Sequence, residues 1–153
     1  MNFYKILLSK AKKEGVVKNV VGAIIINNDK VLMLSRKKDD FLGGIDELPS
    51  GNMELNESIY ESLVREVKEE ANLNISSVKG YINTFDYLSS SGKKARQYNF
   101  IVDVKDFSNI ILTEHDDYKW FGIDDIRDNN KITDEVKYTL ETCFFNYVMN
   151  KKN

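Results

Sequence analysis

The sequence predicts an α+β or mixed α/β fold, with helices covering a mixed β-sheet. Three observations carry that prediction. Segments rich in Val, Ile and aromatic residues are bounded by turn residues, as strands are. Two stretches carry apolar residues at helical spacing, one in mid-chain and one near the end. Strands precede the first of these and separate it from the second, an order that places helices against a sheet.

The elements follow in chain order. Asn2 to Glu14 reads as a short helix ending near Gly15. Val16 to Asn27 reads as a strand, Asn27-Asn28-Asp29 as a turn, and Lys30 to Arg36 as the returning strand of a hairpin. Asp39 to Gly44 is a loop, Glu47-Leu48 a short strand, and Pro49-Ser50-Gly51 a turn. Ser58 and Glu61 fit a capping box at the start of the middle helix. On that helix Tyr60, Leu63, Val64, Val67 and Ala71 fall within an arc of about 100°, the expected buried face, and the helix ends near Asn72. Val78 to Leu88 and Ala95 to Lys105 are strands joined by the turn Ser89 to Gly92. Tyr118 to Phe121 is a further strand and Ile123 to Ile126 a helical turn. Thr133 caps a last helix with Val136, Leu140, Phe144 and Tyr147 on one face.

Bulk properties narrow the function. The 153 residues suit one domain, 1–153, able to bury a core. A net charge of −2 leaves no basic field that would hold nucleic acid, so no stable nucleic-acid complex is expected. The single cysteine, Cys143, permits no internal disulfide and reads as a small buried hydrophobe. With His115, the single histidine, it cannot form a closed zinc site. The apolar run Ile6-Leu7-Leu8 is too short for a signal peptide or a membrane span, so a cytoplasmic location and no membrane partner are expected.

The chemistry lies between Gly51 and Leu73. Glu66, Glu69 and Glu70 have spacings of three and four, so they project from one face of the middle helix, apart from its apolar face. Carboxylates so placed repel one another, and a hard divalent cation with oxygen ligands relieves that repulsion. A solvated acidic face would also account for these three residues taken alone. The flanking residues decide against it. The segment resembles the Nudix box, whose pattern runs Gly, five residues, Glu, seven residues, then Arg-Glu-aliphatic-any-Glu-Glu-any-Gly-aliphatic. Gly51, Glu57, Arg65, Glu66, Val67, Glu69, Glu70 and Leu73 stand at eight of its nine fixed positions. A chance match of that quality is on the order of one in a million. Asn72 replaces the usual Gly. That Gly ends the helix with positive φ, a conformation Asn tolerates next best.

The resemblance implies an α+β fold of the α/β/α sandwich kind, a Nudix-like mixed β-sheet flanked by helices, and a MutT-like hydrolase that cuts the diphosphate linkage of a nucleoside diphosphate derivative. It implies Mg2+, with Mn2+ as a substitute, held by Glu66, Glu69, Glu70 and the backbone carbonyl of Gly51. It implies Glu57 paired with Arg65, which orients the carboxylates. Glu114 is a candidate general base, with His115, Asp116 and Asp117 as neighbours. Glu114 also reads as a surface loop residue, and His115 as an exposed one. Arg36 and Arg96 are candidate phosphate contacts, with Lys37, Lys38 and Gln97 beside them. Phe85 and Tyr87 are candidates for stacking on a base, and Tyr98 and Phe100 share their alternation; core packing explains such aromatics equally well. The proline that follows the box in ADP-ribose-specific members is absent, which argues against ADP-ribose. The resemblance does not choose among nucleoside triphosphates, sugar nucleotides and dinucleoside polyphosphates. It allows a homodimer. A catalytically silent nucleotide-binding Nudix domain is the alternative, and it would be expected to lack box carboxylates that are all present here.

Overall fold

A computed structural model describes residues 2–150. Its elements are α1 (Phe3–Lys13), β1 (Lys18–Asn27), β2 (Lys30–Arg36), β3 (Asp46–Glu47), β4 (Ser50–Asn52), α2 (Ile59–Ala71), β5 (Ile75–Leu88), β6 (Lys94–Val104), β7 (His115–Phe121), α3 (Ile123–Asp128) and α4 (Asp134–Phe144). A single π-helical turn, Phe145–Met149, extends α4. No helix among the described residues is long and apolar enough to cross a membrane.

The sheet is mixed, with strand order β3-β2-β1-β6-β5. β1 and β6 run parallel, Lys18 to Ile25 opposite Ala95 to Val102. β1 and β2 form a hairpin through Asn28 and Asp29, both with positive φ (52° and 60°). That geometry twists a two-residue turn in the same sense as its strands. The hairpin is paired only at its tip, Ile26 with Val31 and Asn27 with Lys30. Beyond the tip the strands part. β4 pairs with the freed edge of β1, and β3 and β7 pair with β2. The diverging mouth of this hairpin is the floor of the cleft described below.

Strand alternation fills both faces. Ala23, Ile25, Leu32, Leu34, Phe100 and Val102 meet α1 and α2, while Ile24, Val31, Met33 and Ile101 meet α3 and α4. The result is the expected α/β/α sandwich. Helix α2 buries Ile59, Leu63, Val67 and Ala71. Each large apolar side chain fully removed from water there contributes roughly 1.5–3 kcal/mol.

Several expectations need correction. Tyr60 is 43% exposed, because the buried face follows the i, i+4 series from Ile59 and Tyr60 turns away from it. Ser50 and Gly51 are not a turn. They begin β4, opposite Val21 and Gly22. The short strand before it covers Asp46–Glu47 rather than Glu47-Leu48. β5 starts three residues earlier than its alternation suggests, and β7 starts at His115 rather than Tyr118. Other expectations match. Ser58 and Glu61 make the reciprocal capping box, and Cys143 is buried, its thiol pushed up to about 12 by desolvation.

Asn72 ends α2 with φ 59°, and its side-chain amide donates to the Asn109 carbonyl at 3.0 Å. Asn tolerates the left-handed region better than Ala, whose side chain also cannot make that bond. Asn72→Ala should therefore lower stability by about 1–2 kcal/mol in chemical denaturation. A change under a few tenths of a kcal/mol would contradict the conformational argument.

Candidate active site

A cleft of about 590 Å³ opens where β1 and β2 part. Its lining includes Arg36, Glu47, Ser50, Gly51, Arg65, Glu66, Glu69, Glu70, Glu114 and His115. Four separate stretches of chain supply these residues: the end of β2, the β3–β4 region, helix α2, and the start of β7.

Arg65 organises the helix side. All five of its guanidinium hydrogens are engaged. Nε and Nη2 donate to the two oxygens of Glu57 at 2.5 and 2.8 Å, Nη1 to Glu66 at 2.7 Å and Glu69 at 3.2 Å, and Nη2 also to the Asn52 carbonyl at 2.9 Å. A planar fork suits this pattern; a lysine could not reproduce it. The Arg65 guanidinium holds the Glu57 carboxyl down to about 2, helped by the Ser62 hydroxyl and the Glu54 amide. Glu57 in turn raises the pKa of Arg65.

Glu66 and Glu70 face the opposite pressure. Burial raises the pKa of Glu66 above the usual carboxylate range, although Arg65 opposes it. Glu70 is 7% exposed, and desolvation pushes its carboxyl up to about 8. The Ser50 amide donates to Glu70 Oε1 at 2.7 Å and opposes that rise, while Glu47, Glu66 and Glu114 add to it. Carboxyl groups that resist ionisation are thus concentrated between α2 and β4.

Gly51 leaves room for them. A Cβ at Gly51 would overlap the Glu66 carboxylate. The carboxylate and the β4 backbone therefore share a space that only glycine leaves open. This cradle and the all-oxygen donor set of Glu66, Glu69, Glu70 and the Gly51 carbonyl fit a hard divalent cation. Among the described residues, no three His, Asp, Glu or Cys side chains already close around one point. Glu66 and Glu69 lean on Arg65 and would have to turn from it to bind a cation.

A NUDIX domain profile matches residues 17–141. The chain belongs to the Nudix family. Among similar proteins, an 8-oxo-dGTP diphosphatase of Buchnera aphidicola subsp. Schizaphis graminum is 29% identical over 71% of this chain and 80% of its own length. An ADP-ribose pyrophosphatase of Methanocaldococcus jannaschii is 38% identical over a shorter stretch, 42% of this chain and 37% of its own. The crystal structure of a MutT protein from Methanosarcina mazei Go1 superposes with a TM-score of 0.73 at 22% identity, covering 88% of this chain and 98% of that one. That likeness concerns the fold. With the profile match and the named pyrophosphatases, this chain is a Nudix pyrophosphohydrolase.

The Nudix cleft gathers only part of the expected set. Glu57, Arg65, Glu66, Glu69, Glu70 and Gly51 stand together, with Glu114 on the exposed rim. Arg36 lines the cleft, but its Nε donates to Glu47 at 3.0 Å and its Nη1 to the Phe41 carbonyl at 2.5 Å. Lys37 and Lys38 are exposed and do not line it. Arg96 does not reach it. It is buried against Asp86 and Glu14, donating to them at 2.6 to 3.0 Å. Because β6 alternates, Arg96 points to the same face as Tyr98 and Phe100, which are core. Phe85 and Tyr87, 6.1 Å apart, line a separate apolar pocket of about 210 Å³ with Leu48, Gln97 and Val136. Tyr87, Glu47 and Ser50 border both spaces.

His115 is the main correction. It was expected to be exposed and is 8% exposed. Its ring joins Glu47, Nε2 to Oε2 at 2.8 Å, and faces Glu70 on its other side. Glu47 and the Ser50 amide were not expected in the site at all. Glu47 lies 68 residues from His115, and nothing local in either segment marks the contact.

Proposed function

We propose that this chain hydrolyses the diphosphate linkage of a nucleoside diphosphate derivative with Mg2+ or Mn2+ in the cleft. One observation carries the reading: the carboxylate-lined cleft borders an apolar pocket of about 210 Å³ and shares Glu47, Ser50 and Tyr87 with it. A polyanion and a nucleobase joined in one molecule fit those two spaces together.

Glu66, Glu69, Glu70 and the Gly51 carbonyl would hold a divalent cation, which would offset phosphate charge and lower the pKa of a water bound to it. The protein supplies the rest. Arg65 fixes Glu57, Glu66 and Glu69 relative to one another. The Ser50 amide holds Glu70 against β4. Glu114, on the rim, would accept a proton from the attacking water. Arg36 faces the phosphates from the β2 side. Phe85 and Tyr87 receive the base, whose hydrogen-bonding edge meets Gln97. We place the enzyme in the cytoplasm, acting on a free small-molecule nucleotide, as one domain needing neither membrane nor nucleic acid.

The test is a substrate panel with purified protein, Mg2+ or Mn2+, and phosphate products resolved by 31P NMR. The panel includes 8-oxo-dGTP and normal nucleoside triphosphates, ADP-ribose and other sugar nucleotides, and dinucleoside polyphosphates. We expect metal-dependent cleavage of one class well above the others. Folded protein that binds the cation but cleaves none of them would point instead to a silent nucleotide-binding domain.

A further inference from the structure

Beside the carboxylates, His115 is unexplained by the proposed hydrolytic roles. Its ring is more than nine-tenths buried, yet Nδ1 has no hydrogen-bond partner. A buried polar atom left unpaired is costly and calls for a ligand or a function. The other nitrogen explains which kind. A carboxylate only accepts hydrogen bonds, so at 2.8 Å Nε2 donates its hydrogen to Glu47 Oε2. Glu47 is itself pinned by Arg36 at 3.0 Å. That fixes the tautomer and leaves a lone pair on Nδ1. The lone pair faces Glu70 Oε2 at 3.8 Å, too far for a direct hydrogen bond.

An ion lying between Nδ1 and Glu70 Oε2 would satisfy both atoms, which at this separation do not bond each other directly. Two donors each about 2.1 Å from one ion can stand no more than about 4.2 Å apart, so a single ion can meet both atoms. A carboxylate that orients a histidine through its far nitrogen is also the arrangement that supports a metal-bound imidazole.

We propose that His115 Nδ1 is a direct ligand to a divalent cation shared with Glu70, with Glu47 as the positioning residue behind the ring. The proposal rests on the cleft being a divalent-cation site, as in the function above, and adds a nitrogen ligand to its oxygen set. Waters or substrate phosphate oxygens would complete the coordination. Imidazole favours transition-metal ions over magnesium. The site is therefore expected to hold Mn2+ more tightly than Mg2+.

His115 is the single histidine of the chain, which makes the test direct. Full-length protein without a histidine tag, labelled with 15N-histidine, is loaded with Mn2+ and studied by pulsed EPR. A 15N hyperfine coupling of the size of a directly bound nitrogen is the expected result, and it can come from no other side chain. The second measurement is affinity. His115→Ala should weaken Mn2+ binding about tenfold or more and Mg2+ binding less. Bound Mn2+ without a direct 15N coupling overturns the ligand assignment and leaves the hydrolase reading standing. Protein that binds no Mn2+ overturns both. The wild-type spectrum decides the matter even if the variant does not fold.

Discussion

Glu70→Gln should abolish most turnover and at the same time make the metal-free protein more stable at alkaline pH. Both effects come from one buried carboxyl. In the folded chain Glu70 ionises near pH 8 rather than at the usual 4.5. The folded state therefore holds a proton that the unfolded state has already released. The resulting stability is complete below about pH 4.5 and is lost as pH rises to about 8. For a group this buried the loss is on the order of a few kcal/mol. Thermal unfolding of the metal-free wild type should fall over that window, and the Gln variant should lack the fall. Added Mg2+ or Mn2+ should restore the wild type at pH 8 and leave the variant nearly unchanged. Turnover should drop by about a thousandfold or more, the scale seen when an essential group is removed. A variant that keeps wild-type turnover, or a wild type whose stability is flat from pH 5 to 8, would remove Glu70 from this role.

The second large effect is expected from Gly51→Ala, a single methyl group. The new Cβ occupies the space of the Glu66 carboxylate. The β4 backbone cannot retreat easily, because Gly51 is paired with Val21 of β1. Glu66 must move instead, and Arg65, which binds it at 2.7 Å, must move with it. Overpacking of this kind costs about 1–3 kcal/mol. Misplacing a reacting group by about 1 Å costs about a hundredfold in rate. We expect both losses, with weaker cation binding in calorimetry. Pairing Gly51→Ala with Glu66→Ala tests the cause, since the double variant should be less destabilised than the two single losses added together. Strict additivity would show that the methyl group acts elsewhere.

The extent to which the sequence could be read follows from distance along the chain. Helix α2, its capping box and its carboxylate face are built from residues three and four apart, so their pattern is local and visible. The Glu57–Arg65 pair spans eight residues of one segment and is legible for the same reason. His115 against Glu47 spans 68 residues, and Arg96 against Glu14 spans 82. Both depend on which strands become neighbours, and no periodicity within either segment reports that. β4 was obscured by chemistry: Pro49-Ser50-Gly51 carries turn residues, and its strand character comes only from the edge that β1 exposes when β2 leaves it. Tyr60 shows a smaller failure. A helical wheel drawn without a known neighbour fixes the width of the buried face better than its rotation.

The apolar pocket and the carboxylate cleft meet at only three residues, Glu47, Ser50 and Tyr87. The proposed cation ligands lie mainly on α2 and the glycine beside it, whereas the pocket walls come from the loop and strand before Ser50, from β5 and β6, and from the start of α4. The two workshops can be refitted separately. On the function proposed above, exchanging Phe85, Gln97 or Val136 would alter what is admitted and leave the carboxylate cleft in place, so a drifting lineage could trade one nucleotide for another by a few changes in pocket side chains. Relatives named for compounds as unlike as an oxidised nucleotide and a nucleotide sugar are what such a division of labour would be expected to leave behind.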